Sequence, residues 1–441
     1  MTVSPVVAAV ALLQGGLPHA PGLRYLPVPD HMGVWFLATV VKLLAVFTVY
    51  MIGVAMLTLA ERKISAWIQD RHGPNRVGWH GLLQPAADGL KNIMKEETYP
   101  SRANLPLFIL APVMSFIPAL VTWAVIPFAA PWQTPWGLID MSLAPMPIGF
   151  LFILAISSLG VYGIVLAGWS SNNKYSLLGG LRSSAQMVSY EVAMGLSTIP
   201  VLLLAGNVSL SQIVQQQSAS GWNVLNASVA FFIFLIAAFA ETNRLPFDLP
   251  EAESELIAGY HSEYSAMKFS MFFIAEYANM VTASALMATL FFGGWDIPFT
   301  QWDNVAPHTG IKTAVTLLAF AVKVIAFIFL YMWIRWTLPR FRYDQLMALG
   351  WKLLLPLSLA YIMVLASAML GLDALGVHQG GFVFTAALLA LNLVLVVLLF
   401  GWLDRGRLVS PAYSRLDRRD LTALQRVAAG RSELVTHEGA D

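Results

Sequence analysis

The chain contains no cysteine in its 441 residues. That absence excludes thiolate-held iron–sulfur clusters, cysteine zinc sites and covalently attached haem from this polypeptide. Charge is scarce as well: 12% of residues are Asp, Glu, Lys or Arg, against about 25% in a soluble domain. The eight histidines, His19, His31, His72, His80, His261, His308, His378 and His437, all fall outside the long apolar runs, which argues against a haem held in a bilayer by paired histidines. Neither a GxxxxGK[ST] phosphate loop nor a dinucleotide glycine fingerprint occurs, so nicotinamide binding on this chain is not expected. No internal repeat is evident, and with it goes the sequence sign of an inverted-repeat transporter. Residues 1–30 carry Arg24 as their only cation, and their apolar run at 6–13 is too short to span. They read as an external surface segment rather than a signal peptide.

What the chain does have is apolar length: 57% of its residues are hydrophobic, with a mean hydropathy of +0.66. A crossing needs roughly 20 apolar residues, and nine runs qualify: 34–60, 105–126, 148–167, 185–204, 224–240, 269–292, 313–333, 353–370 and 382–400. The connections at 61–104, 169–184, 241–268, 335–352 and 404–441 hold 22 of the 26 Lys and Arg residues. The positive-inside rule places those connections in the cytoplasm, with the N-terminus outside and the C-terminus inside. Trp35, Trp169, Trp222, Trp333, Trp336, Trp351 and Trp402 fall near run ends, where amphipathic rings prefer the interface. The expected fold is all-α: a polytopic membrane protein of about nine transmembrane helices, with an interfacial amphipathic helix and an acidic helical cytoplasmic loop. Residues 1–33 form an external segment, 34–403 the transmembrane domain and 404–441 a cytoplasmic polar tail.

Three constellations point to chemistry. In the connection after the first run, Leu82, Leu83, Ala86, Leu90, Ile93 and Met94 share one helical face, while Gln84, Asp88, Lys91, Asn92 and Lys95 share the other. That pattern is a surface amphipathic helix, with Pro85 tolerated in its first turn. It serves either as a membrane anchor or as one side of a doorway for a lipid-soluble substrate with a polar head. Second, ETNRLPFDLPEAESELIAGYHSE at 241–263 is rich in acids with Arg244 as its single Lys or Arg. Acids in the first turn of a helix starting at Pro250 complement its dipole. Glu251 and Glu255, however, are i,i+4 like charges, and a buried pair of that kind holds one proton near neutrality. Third, Glu191, Glu276 and Lys323 lie inside apolar runs. A charge at the bilayer centre costs at least about 2.5–3.5 kcal/mol, so function is the default reading. Lys42, nearer a run end, reads as a structural residue that snorkels.

These segments also carry a family resemblance. ERK at 61–63, Gln69 with Arg71, GPNRVG at 73–78, GLLQPAAD at 81–88, KEE at 95–97, GWSSNNKYSLLGGLRSSAQMVSYE at 168–191, ETNRLPFDLPEAESELIAGYHSEYS at 241–265 and PRFRYDQLMALGWKLLLPL at 339–357 resemble the H-subunit (subunit 1) family of complex I, NADH:quinone oxidoreductase. The matches occur in family order over roughly 34–370. The resemblance implies a quinone-site membrane subunit joining hydrophilic and membrane arms, active only within its complex and transferring no hydride itself. It implies a quinone chamber whose mouth includes Arg62, Lys63, Ala66, Gln69 and Arg71. It further implies a proton path through Glu191, Glu241, Asp248, Glu251, Glu253, Glu255, Glu263 and Glu276, with Arg244 beside it. Quinone would be the substrate and the nearest redox centre an iron–sulfur cluster in a partner subunit. No metal, covalent cofactor or nucleic acid is implied. The partners would be other complex I subunits and the lipid of a bacterial inner membrane. A ninth span and the polar tail depart from members with eight spans. A related subunit of a hydrogenase- or formate-linked complex would share the acids without needing the chamber; a stand-alone secondary transporter would place its charges at the midplane.

Overall fold

The computed structural model describes residues 32–248, 257–298, 300, 302–377 and 380–403. Residues 1–31, the tail from 404 and the acidic stretch 249–256 lie outside them, and with that stretch Glu251, Glu253 and Glu255. The elements are α1 (Met32–Ile68), α2 (Gln84–Met94), α3 (Leu105–Val121), a two-stranded antiparallel ribbon of β1 (Trp132–Thr134) and β2 (Gly137–Ile139), then α4 (Gly149–Ser170), α5 (Lys174–Ala205) and α6 (Leu210–Ser220). They are followed by α7 (Ser228–Glu241), α8 (Ala266–Phe291), α9 (Gly310–Thr337), α10 (Tyr343–Ala348), α11 (Leu355–Ala374) and α12 (Phe382–Leu403). A π-helical stretch, Leu349–Leu354, joins α10 to α11. The chain forms two units, one through Leu389 and one from Ala390; the described part of the second is the C-terminal portion of α12.

Every one of the nine expected runs is helical, and among the described residues eight helices are long and apolar enough to cross a membrane. The fifth run is the exception in length. Its helix α7 has 14 residues, about 21 Å at 1.5 Å per residue, short of the roughly 30 Å of a hydrocarbon core. A backbone break at Ala227 (φ −138°, ψ 51°) separates it from the one-turn helix Asn223–Asn226. That turn is tied to the C-terminal end of α8 through Asn223 Nδ2 donating to Leu290 O at 3.0 Å. At its other end α7 stops at Glu241, which lines a small cavity together with Glu276 from the middle of α8.

The loop that follows is held by the core. Phe108, Val161, Ile164, Met187, Tyr260, Tyr264 and Phe272, from α3, α4, α5, α8 and the loop before it, form one buried cluster. Phe108 and Tyr264 stack in parallel with centroids 4.0 Å apart. Gly179 of α5 lets the backbone at Gly259 approach so closely that a Cβ would stand 2.7 Å from the Gly259 Cα. A side chain there would push the loop off the helix.

Candidate functional site

The α1 helix does not stop at the end of its apolar run but continues through ERKISAWI to Ile68. That extension carries Glu61 into the protein: Met51, Val54, Thr58, Glu61 and Ser65 recur at spacings of three and four, so they share one helical face, and all five line a cavity of about 660 Å³. Pro85, Asp88, Gly89 and Asn92 of α2 form a second wall, Phe269, Phe273 and Tyr277 of α8 a third, and Arg335 with Trp336 of α9 a fourth. The walls are chiefly apolar, with charges gathered at Glu61 and Arg335 and at Arg62, Arg71, Asp88 and Lys91. The surface helix runs Gln84–Met94 as its pattern predicts, and its orientation is informative. The polar face supplies Asp88 and Asn92 to the cavity, and Ile93 joins them from the apolar face, whereas Leu82, Leu83, Leu90 and Met94 are exposed away from it.

Behind the cavity wall the charges continue inward. Arg335 pairs with Glu61 Oε1, and Tyr277 Oη donates to Glu61 Oε2 at 2.7 Å. Arg244 Nη1 donates to Glu61 Oε2 at 3.1 Å, and its Nε lies 2.6 Å from Glu276 Oε1. The Nε–H is angled off the line to that oxygen, so the contact is an ion pair rather than an aligned hydrogen bond. The Arg244 guanidinium also stands over the Tyr277 ring at 4.3 Å, a favourable cation–π placement. The Arg244 and Glu61 side chains are 4% and 7% exposed, so neither charge is solvated and each depends on the other.

The sequence after α7 explains how Arg244 gets there. Thr242 Oγ1 donates back to Ala238 O at 2.9 Å, and Asn243 adopts φ 51°, a left-handed conformation that Asn tolerates. The chain turns sharply and points Arg244 inward. Gln186 of α5, fully buried, clamps the turn: its Nε2 lies 2.8 Å from both Ala240 O and Phe247 O and 3.2 Å from Asn243 Oδ1. Across the loop, Arg340 Nη2 donates to Asp248 Oδ2 at 3.3 Å, Phe341 N donates to Pro246 O at 3.1 Å, and Phe247 stacks on Phe341 at 5.5 Å. Burial, reinforced by the neighbouring Glu276 carboxylate, pushes the Asp248 carboxyl up to about 7 against the pull of Arg340, Arg335 and Arg244.

A small cavity of about 30 Å³ is lined by both Glu241 and Glu276, with Ser115 and Asn279. Glu241 lies within electrostatic reach of Glu191 and beside the Ser157 hydroxyl. Glu191 accepts a hydrogen bond from Ser158 Oγ of α4. Glu61, Arg244, Glu276, Glu241 and Glu191 thus follow one another from the large cavity into the helix bundle, with Asp248 as a side branch.

Not every expected residue joins this set. Glu263 accepts from Asn173 Nδ2 at 2.7 Å; Asn173 is the N-cap of α5, and no described contact links Glu263 to the other acids. Of the expected mouth residues, Arg62 and Arg71 line the cavity. Lys63 instead donates to His80 O at 2.6 Å, Gln69 accepts from Arg71 Nε at 2.7 Å, and Ala66 is fully buried off the lining. Lys323, read from its depth as a functional charge, is bound by three backbone carbonyls, Phe292 O at 2.7 Å, Gly294 O at 2.9 Å and Asp296 O at 2.5 Å, and so ties down the C-terminal end of α8. Lys42 does the same for the ribbon loop, donating to Asp140 O and Ser142 O at 2.7 and 2.9 Å. The site residues that sequence reasoning passed over are Glu61, Tyr277, Arg335, Arg340, Gln186 and Ser158. Glu61 carried a legible signal, an acid in three-four register with Met51, Val54 and Thr58 of the first apolar run. Among the described residues no group of three or more His, Asp or Glu could hold a metal ion.

Fold and site together define a polytopic α-helical membrane protein in which an apolar cavity ends on a buried chain of paired charges. Comparison with known proteins carries this further. The profile of the NADH dehydrogenase family matches residues 41–366. The first NADH-quinone oxidoreductase H subunit of Cytophaga hutchinsonii is 49% identical over 326 residues, covering 74% of this chain and 95% of that protein. The H subunit of Leptospira biflexa is 51% identical over 337 residues, covering 74% and 93%, and that of Flavobacterium psychrophilum 52% over 326, covering 74% and 94%. The chain belongs to this family, the H-subunit family of complex I.

Proposed function

We propose that this chain is the membrane subunit of a NADH:quinone oxidoreductase that forms part of the quinone chamber and the acidic path coupling quinone reduction to proton translocation. The observation that carries the reading is that the large apolar cavity terminates at Glu61, the first of the contiguous buried charges. A lipid-soluble molecule with a polar head matches such a space, apolar along its length and polar at one end. The buried acids beyond it sit where ionisation is costly unless paired, which suits groups that take up and release protons. The quinone accepts electrons from an iron–sulfur cluster in a neighbouring subunit, since this cysteine-free chain supplies no thiolate for one. Other complex I subunits surround it in a bacterial inner membrane, with the N-terminus outside and the C-terminus in the cytoplasm, as the distribution of Lys and Arg directs.

Ala55 of α1 is an uncharged residue of the cavity lining. In assembled membranes Ala55→Trp is expected to impair reduction of a long-tailed quinone more than that of a short-tailed analogue. Equal loss of both removes the cavity from the quinone's route.

A further inference from the structure

The surface helix α2 has no buried residue, yet it forms a wall of the large cavity. Apolar packing therefore does not fix its position against the bundle. Two polar clips do. On the α1 side Arg62 Nη1 donates to Asp88 Oδ2 at 2.7 Å. At the far end the chain leaving α2 is bound to α8: Lys268 Nζ donates to Glu97 Oε2 at 2.5 Å and lies 2.6 Å from Tyr99 Oη, which donates to the same Glu97 oxygen at 2.6 Å. Thr98 N and Oγ1 add bonds of 3.0 and 2.9 Å to Ser265 Oγ. Lys268 sits between Met267 and Phe269, both of which line the cavity, so this clip joins the departing end of one wall to the first turn of another.

We propose that the Lys268–Glu97–Tyr99 cluster, acting with the Arg62–Asp88 pair, holds α2 at a set distance from α8 and thereby controls how a long-tailed quinone passes into the cavity. Lys268 and Glu97 are positioning residues in this scheme; the quinone itself touches the cavity lining they hold in place. The Arg62 and Glu97 ends of the clips are open to solvent, with side chains 51% and 37% exposed, and a pair of that kind opens easily and is weakened by salt. The wall is accordingly adjustable, as passage of a bulky apolar chain requires. The inference rests on the quinone reading of the cavity, and its test separates the two.

Ser65 lines the cavity and is 3% exposed, so Ser65→Cys places a near-isosteric thiol behind the α2 wall. Because the natural chain has no cysteine, a mass shift of this subunit in the intact complex reports that thiol alone. Adding Lys268→Met, or separately Glu97→Gln, is expected to speed its labelling by a polymer-linked maleimide about two- to fivefold, the range for losing a part-exposed ion pair. Lys268→Arg is expected to return the rate to that of Ser65→Cys alone. Equal rates in all backgrounds, fast or undetectable, overturn the proposal. In Lys268→Met without the thiol, KM for a long-tailed quinone is expected to shift by about the same factor while kcat and short-tailed turnover hold. Faster labelling without that shift upholds the clip and overturns the quinone reading of the cavity.

Discussion

Arg244 reaches Glu61 at 3.1 Å across 183 residues of chain, and the same guanidinium touches Glu276 at 2.6 Å. One cation thus joins the end of the large cavity to the acids inside the helix bundle. With Arg335 also paired to Glu61, two guanidiniums face two carboxylates, and their formal charges balance.

Removing Arg244 strips Glu276 of its ion-pair partner, while Glu61 keeps Arg335 and Tyr277. Arg244→Met is expected to cost about 3–5 kcal/mol, the range for breaking a buried pair, seen as loss of assembled complex or a lowered melting temperature. Adding Glu276→Gln to Arg244→Met removes one stranded charge and should recover part of the loss. If the double variant is no better than the single one, Arg244 stabilises through its stacking on Tyr277 rather than through charge.

The Asp248 carboxyl titrates near 7 because burial disfavours its charge and Glu276 adds repulsion, while Arg340 holds it down. Arg340→Met should therefore move the titration above 7. The protonated-carboxyl infrared band of assembled complex, assigned by its absence in Asp248→Asn, measures this directly. The sign for stability follows from linkage. The folded state keeps this proton up to about 7, whereas the unfolded chain releases it near 3.8. The contribution is thus present at acid pH, declines as pH rises through that window and is lost above it. Asp248→Asn removes the decline, so its melting temperature should fall less between pH 5 and 7.5 than that of the natural protein.

Lys323 is expected to behave as a structural residue despite its depth. Its ammonium satisfies three carbonyls at the end of α8 and lies 4.6 Å from the Trp222 ring centroid. Each hydrogen bond to a charged group is worth about 1.5–3 kcal/mol, so Lys323→Met should lower the yield of assembled complex sharply. Turnover and proton pumping per assembled complex should stay close to normal. A fully assembled Lys323→Met complex that fails to pump would make this lysine a functional charge after all.

The helices and the surface helix were legible because apolar length and three-four periodicity are local properties of sequence. The charges at Glu191 and Glu276 were legible because a polar side chain in an apolar run is costly wherever the chain folds, and Arg244 because it is the single Lys or Arg of an acidic connection. What stayed hidden is pairing. Glu61 meets Arg335 across 274 residues, and Tyr190 Oη donates to Leu346 O across 156; no spacing rule encodes either contact. Ala66 was misplaced for a related reason. It follows the ERK motif closely, but the helical turn that brings Ser65 to the cavity carries Ala66 into the core. Nor does depth show the carbonyl contacts of Lys323, since a run's midpoint does not reveal which backbone ends fold back against it.

Glu191 offers the sharpest separation of proton handling from packing. The Ser158 hydroxyl has one hydrogen and two acceptors within reach, Leu154 O at 2.9 Å and Glu191 Oε1. When Glu191 is ionised, the hydrogen is best spent on the carboxylate, because charge-assisted bonds are stronger. When Glu191 is protonated, the carboxyl can donate to Ser158 Oγ, which then donates to Leu154 O. Glu191→Gln keeps the shape and an acceptor for Ser158 but cannot change protonation. Assembly should survive while quinone reduction and pumping both fall, and Glu191→Asp should retain part of each. Ser158→Ala should leave assembly intact and lower the rate less than Glu191→Gln does, since the carboxyl can still titrate. If Glu191 serves only to hold α4 against α5, the ranking inverts: the amide is tolerated, and the shortened Asp is damaging because its oxygen no longer reaches Ser158. Pumping and NADH:quinone activity, normalised to assembled complex, decide between the two, and full pumping in Glu191→Gln would leave this residue as a helix-packing group.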